Sequence, residues 1–259
     1  MPQLLMAEQY ESTQELLGKG ATGRVEGITC RKTGRKYAMK IANLTRETLR
    51  EYQLLSPHSP LRHPNLASVL DVFFEDGRIF MVMEALRENL FTFLRLRGPR
   101  GDAEVARLTG QVAAAVHHLH DRRVVHRDVK LENICFDARG QLQLIDLGLG
   151  AKFEDRKLLK KLVGTPPYLA PEVWLRKSGP KSDIWALGVV VFLLLTTHFP
   201  FGKGDLDTIR LHVLSLQPRH DDLSSAAKAF LGHFWQLAEH RPDARATREL
   251  AFLTGECTI

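Results

Sequence analysis

Cysteine is scarce: the 259 residues contain three, Cys30, Cys135 and Cys257, an odd number set far apart. They make neither a zinc-ligand spacing nor a disulfide framework, so the expected setting is a reducing compartment, cytoplasmic or nuclear. Long apolar runs are also missing. The longest, "IWALGVVVFLLLTT" from Ile184, falls short of the roughly 18 residues of a membrane span and predicts a buried helix. The opening MPQLLMAEQYES lacks the basic start and apolar core of a signal peptide. No repeat, Pro/Ser-rich linker or low-complexity tract divides the chain, which predicts one domain over residues 1–259. The net charge of +6 implies weak attraction to acidic surfaces. Its basic pieces (CRKTGRK, LRLRGPR, RKLLKK) carry no interleaved aromatics, which disfavours a nucleic-acid partner. "HHLH" at 117–120 has no i, i+4 histidine pair and reads as a helix-surface cap, not a metal site.

What is present changes character along the chain. To about residue 84, "ELLGKGATGRVEGITC", "KYAMKIA", "LASVLDVFFE" and "RIFMVMEA" have strand-like patterns, the last two joined by Asp76-Gly77. Between them "TRETLREYQLL" sets Leu44, Thr48, Glu51 and Leu55 at helical spacing, with Asn43 or Thr45 as N-cap. After residue 88, "VARLTGQVAAAVHHLHD", the apolar run from Ser182 and "SAAKAFLGHFWQLAE" predict helices. A small sheet-plus-helix unit precedes a larger helical one.

Four polar signals interrupt these patterns. In "GKGATGRV", Gly18, Gly20 and Gly23 form G-x-G-x-x-G with Val25 beyond, a backbone free to approach phosphate oxygens. A strand follows it, not a helix, so the loop predicts a hairpin. Lys40 ends "YAMK", 22 residues after Gly18; an ammonium beside a phosphate cradle needs a carboxylate to hold it. Glu47 and Glu51 are both available, one turn apart, and Glu51 is preferred because Leu55 can pack beneath it. "HRDVKLEN" (126–133) supplies Asp128 to accept a hydroxyl proton, Lys130 to neutralise phosphate and Asn133 as an oxygen donor to a hard cation. Asp146, 13 residues later in "LIDLG", is brought back to Asn133 by a hairpin of ICF and LQLI turned at Asp137–Gly140.

In this order the four segments resemble the protein kinase family: a glycine-rich loop, the strand-three lysine, the catalytic loop and a magnesium-binding DLG. The resemblance continues through "GTPPYLAPE" (164–172), "SDIWALG" (182–188) and "RPDARATREL", covering roughly residues 13–252. Lys130 and Thr165 resemble the serine/threonine branch, and the later stretches are similar to calmodulin-dependent and AMP-activated-type kinases. The resemblance implies an α+β bilobal fold: an N-lobe over 1–84, a hinge at 85–88 and a mainly helical C-lobe over 89–259. It implies ATP and Mg2+ as cofactors and a protein substrate. Around the nucleotide it places Leu17, Gly18, Lys19, Gly20, Gly23, Val25, Ala38, Lys40, Glu51, Glu84 and Cys135, with Asn133 and Asp146 on the metal and Asp128, Lys130 and Lys40 in catalysis.

The same resemblance puts His126 and Leu147 in an apolar spine with Leu55 and Val69. It lets Asp183 hold the catalytic-loop backbone and pairs Glu172 with Arg245. Leu162, Pro166 and Leu169 would favour an apolar residue just after the phosphoacceptor, and Glu132 an arginine two residues before it. Asn89 stands where basophilic relatives often carry Glu, which weakens arginine selection at the third upstream position. No Ser, Thr or Tyr lies between Leu147 and Gly164, so Glu154 or Asp155 is expected to offer Arg127 a fixed carboxylate in place of a phosphate. Leu147 for phenylalanine and Cys135 for an aliphatic residue depart from the family pattern. The alternative is a pseudokinase that binds nucleotide or a partner and regulates by docking; it would gain from loss of any of Lys40, Asp128, Asn133 or Asp146, all of which are present.

Overall fold

The computed structural model describes residues 6–20, 23–154, 158–219 and 223–254. After a short α1 (Met6–Gln9), five strands form one antiparallel sheet in the order β1-β2-β3-β5-β4: β1 (Tyr10–Gly20), β2 (Gly23–Cys30), β3 (Lys36–Asn43), β4 (Val69–Glu75) and β5 (Arg78–Glu84). The β4–β5 turn needs positive φ at both central residues, and Asp76 (48°) and Gly77 (70°) supply it.

Helix α2 (Arg46–Leu55) lies between β3 and β4 in sequence. Thr45 is its N-cap, its hydroxyl accepting from the Thr48 amide while the Thr48 hydroxyl accepts from the Thr45 amide. Thr48, Glu51, Leu54 and Leu55 form its buried face. Leu44 does not share that face: it precedes the cap, outside the helix, and is 42% exposed.

The rest is mainly helical: α3 (Leu90–Arg97), α4 (Asp102–Asp121), α5 (Pro171–Trp174), α6 (Pro180–Thr196), α7 (Leu206–Leu214), α8 (Ser225–Gly232), α9 (Ala244–Arg248) and α10 (Ala251–Thr254). Four short strands interrupt it: β6 (Val124–Val125) pairs β9 (Ala151–Lys152), and β7 (Ile134–Phe136) pairs β8 (Leu142–Leu144) as a hairpin. Asp137 caps that hairpin turn, accepting from the amides of Arg139 and Gln141, with Gly140 at φ 80°. Helix α6 is buried without interruption from Ser182 to Leu194, as a helix apolar on all sides must be. Leu55, Val69 and Leu147 share one buried core with it, and His126 is fully buried. Among the described residues no helix is long and apolar enough to cross a membrane.

Two expectations change. "SAAKAFLGHFWQLAE" is helical only to Gly232. Beyond it Phe234 packs so tightly on Gly188 of α6 that a β-carbon there would sit 2.7 Å from it. The carbonyls of Phe234 and Gln236 are taken by the Arg241 guanidinium at 2.8 Å each, so they are withdrawn from a helical ladder. Arg241 also replaces Arg245 as the partner of Glu172, at 2.7 and 3.2 Å. Arg241 is 1% exposed. Arg245 sits on the outer face of α9, its side chain 79% exposed, opposite Glu249 at 3.6 Å.

Removing one partner of a buried pair strands the other, typically at ~3–5 kcal/mol. Arg241→Ala and Glu172→Gln are therefore expected to lower unfolding stability by about that amount, whereas Arg245→Ala should stay within about 0.5 kcal/mol. Equal urea midpoints for Arg241→Ala and Arg245→Ala would refute the assignment.

A second prediction concerns the joint between α2 and β4. His63 Nδ1 accepts the Asn65 amide at 3.1 Å, and its ring lies 4.7 Å from that of His118. Burial, then His118, Arg248, Arg122 and His117, lower its pKa from 6.5 to about 4. Between those values the unfolded chain binds more protons, so stability falls as pH drops from 6.5 towards 4. His63→Gln should flatten the melting temperature across that window; an unchanged slope would remove His63 as its source.

Candidate active site

The sheet and the helical part enclose a cleft of about 1050 Å³. Leu17, Gly18, Lys19, Gly20, Gly23, Val25, Ala38, Lys40, Glu51, Glu84 and Cys135 all line it, as do Asp128, Lys130, Asn133 and Asp146. Its roof is the β1–β2 hairpin, which pairs Gly18 with Val25 and Gly20 with Gly23. A β-carbon at Gly18 would meet nothing within 4 Å, leaving that backbone open to a ligand. Gly23 is different: its β-carbon would lie 2.2 Å from the Ile41 carbonyl oxygen, so packing on β3 alone demands glycine. Cys135 is buried in the floor, and burial pushes its thiol up to about 11, which leaves it unreactive.

Lys40 projects from β3 into a bridge between two carboxylates. Its Nζ is 2.5 Å from Glu51 Oε1 and 3.3 Å from Asp146 Oδ1. Burial opposes charge on this ammonium, but Glu51 and Asp146 outweigh it and hold its pKa above the ordinary value. Burial likewise opposes the Asp146 carboxylate, and Lys40 with the Gly148 amide keeps it below the usual range. Glu47 faces outward and takes no part.

The catalytic-loop segment hangs from α6. Asp183 Oδ2 accepts from the His126 amide (2.9 Å), and Oδ1 from the Arg127 amide (2.8 Å). His120 Nε2 lies 2.9 Å from the same carboxylate. Despite complete burial, His120 and these neighbours hold Asp183 below the usual carboxylate range. His120 therefore corrects the view of "HHLH" as a surface cap: its side chain is 9% exposed and serves a buried acid. Only its position one helical turn before the loop could have signalled this.

The loop then closes on itself. Lys130 Nζ donates to Asp128 Oδ2 (2.7 Å) and to Thr165 Oγ1 (2.8 Å), and Thr165 Oγ1 donates to Asp128 Oδ1 (2.7 Å). Asn133 Nδ2 donates to the Asp128 carbonyl and to Oδ2, at 2.9 and 3.0 Å. The Asn133 carbonyl accepts from the Ile145 amide at 2.8 Å, tying its backbone to the segment that leads from β8 to Asp146. Sequence reasoning noticed Thr165 only as a branch marker and missed its place in this triangle.

Other expected contacts differ. Arg127 Nε donates to the Leu149 carbonyl at 2.7 Å, and Asp155, one of the two acids expected beside this arginine, lies outside the described residues. Leu169 is buried beneath Gly164, Pro166 half-buried and Leu162 exposed, so these three do not line one enclosed pocket. Glu132 lines the cleft with its Oε2 buried and lacking a hydrogen-bond partner.

Among the described residues no cluster of three or more His, Cys, Asp or Glu could hold a metal alone. Asn133 and Asp146 are hard oxygen donors, which fits magnesium when phosphate and water complete its shell.

The protein kinase domain model matches residues 11–252. NUAK family SNF1-like kinase 1 from Homo sapiens is 32% identical over 254 residues, covering 94% of this chain and 38% of that protein. The Serine/threonine-protein kinase SIK3 homolog of Danio rerio is 34% identical over 216 residues, 80% of this chain and 18% of its own length. A Candida tropicalis carbon catabolite-derepressing protein kinase is 35% identical over 194 residues, 71% and 31% respectively. The chain thus spans well under half the length of these relatives. Its relatives include an SNF1-like kinase and a serine/threonine-protein kinase, and with that domain model spanning nearly all of the described residues, the chain belongs to the protein kinase family.

Proposed function

We propose that the chain is an ATP-dependent protein kinase that transfers the γ-phosphoryl group to a protein serine or threonine hydroxyl. The observation that carries this is the Asp128–Lys130–Thr165 triangle, set in one cleft with the Lys40–Glu51–Asp146 bridge. Asp128 accepts the acceptor hydroxyl's proton and aligns its oxygen. Lys130 neutralises charge growing on the transferred group, and Lys40, braced by Glu51, holds phosphate oxygens. Asn133 and Asp146 would hold magnesium, which supplies charge neutralisation between the phosphates when bound. Gly18 and Gly20 cover the phosphates from above, while Ala38, Glu84 and Cys135 border the base. Every polar residue this chemistry needs is in place, so nothing favours the pseudokinase alternative.

Purified, phosphatase-treated protein with labelled ATP, magnesium and a degenerate peptide library tests the proposal. Asp128→Asn should slow transfer by at least ~10²–10⁴. Asp146→Asn and Lys40→Met should fold and turn over poorly. Wild-type rates in either would defeat the assignment, and a phosphatase-sensitive rate would show that Arg127 needs a phosphate after all.

Substrate choice follows from the cleft's edge. Glu132, which lines the cleft, favours arginine at the second upstream position, and Leu162 with Pro166 an apolar residue just after the acceptor. Glu132→Gln should reduce the arginine preference by several-fold in KM while sparing kcat. Strong proline or acidic selection just after the acceptor would overturn the apolar assignment.

A further inference from the structure

The proposed kinase reading also assigns directions along the cleft, and the inference below rests on it. Asp128, Lys130 and Thr165 mark the acceptor hydroxyl. Residues after the acceptor leave beside Leu162 and Pro166, so those before it run the other way, past Glu132 towards the start of α3. Backbone bonds seat that start against β7: Arg87 N to Phe136 O (2.7 Å), Phe136 N to Glu88 O (3.0 Å), and a bridge between Asn89 and Cys135.

The charges at this edge are unevenly committed. Glu84 is 3.3 Å from Arg35. Glu88 is gripped by both terminal nitrogens of Arg97, at 2.8 and 2.9 Å. Asp137 is spent on two backbone amides of its own turn. Asn89, the neutral residue here, caps α3 by accepting from the Thr92 amide at 2.8 Å. Arg87 is exposed, lines the cleft and makes no ion pair among the described residues. A basic peptide arriving here finds its carboxylates already occupied and meets a cation. An acidic one meets a free guanidinium, which binds carboxylate and phosphate in the same forked geometry.

We propose that Arg87 is a specificity-determining residue that selects an anionic side chain, carboxylate or phosphate, upstream of the phosphoacceptor. With Glu132 opposite the second upstream residue and Arg87 farther along the same path, the selected position lies upstream of the second. The protein would then combine arginine close to the acceptor with an acid farther out, and would discriminate against peptides basic throughout.

The test uses peptides identical except at the fourth upstream position, which carries Asp, phosphoserine, Ala or Arg. Fluorescence anisotropy measures binding without turnover, and steady-state rates give KM and kcat separately. The expected order of affinity is phosphoserine or Asp, then Ala, then Arg, with KM about three- to five-fold lower for Asp than for Ala, as for an exposed ion pair. Tighter binding of phosphoserine than of Asp identifies a primed substrate, and equal binding an acidic one. Arg87→Ala should erase the Asp-to-Ala ratio and Arg87→Glu invert it. Glu88→Gln, which releases Arg97, should enlarge it. Indifference at this position in the wild type, or preference for Arg, overturns the proposal. So does an Arg87→Ala variant whose KM rises for ATP while the acidic ratio stays. Failure to phosphorylate any peptide would count against the kinase reading, while anisotropy still decides the anion preference.

Discussion

The site hangs on one carboxylate. Asp183, 1% exposed at the start of a helix buried on every side, accepts two successive backbone amides of the catalytic loop. A buried anion that satisfies two amides and a histidine is far more exacting about position than an apolar contact, because each unmade bond leaves an unsolvated charge. It lets Arg127 stand at φ 67°, a left-handed conformation that costs a non-glycine residue roughly 1–2 kcal/mol. That turn aims Asp128 into the cleft.

The second anchored segment repeats the arrangement. Asp146 stands at φ 64°, and the Ile145 carbonyl before it lies 3.0 Å from His126 Nε2. His126 thus links both left-handed residues: its amide goes to Asp183 and its ring to the strand ahead of Asp146. The His126 ring bonds a neighbour of each strained position, the Asp128 amide at 3.2 Å and the Ile145 carbonyl, as expected where strain is retained for geometry. The third component, the Lys40–Glu51 pair, comes from the sheet and α2. It joins the others at Asp146, which lies 3.3 Å from Lys40.

Legibility followed the range of the interaction. The β4–β5 turn, the Thr45 cap and the β7–β8 hairpin are local, and turn chemistry or short spacing makes them readable. Glu51 was preferable to Glu47 because helix periodicity says which residue shares a face with Leu55. The Glu172 partner was not readable: two arginines four residues apart, Arg241 and Arg245, fit equally well by spacing. Only the end of α8, where Phe234 settles on Gly188, decides which one turns inward. His120 and Thr165 escaped for the same reason, since their partners lie 63 and 37 residues away.

The Glu172–Arg241 pair also sets an order of events during synthesis. Its members are separated by 69 residues. At about 5–20 residues per second, Glu172 waits roughly 3–14 s at the ribosome before its cation has been made. During that interval α6, apolar around its whole circumference, has α4 to pack against but not α8, α9 and Phe234, which cover the rest of it. The nascent chain therefore passes through a stage with one side of its most hydrophobic helix exposed, and any delay between residues 196 and 241 lengthens the time for which it depends on a chaperone.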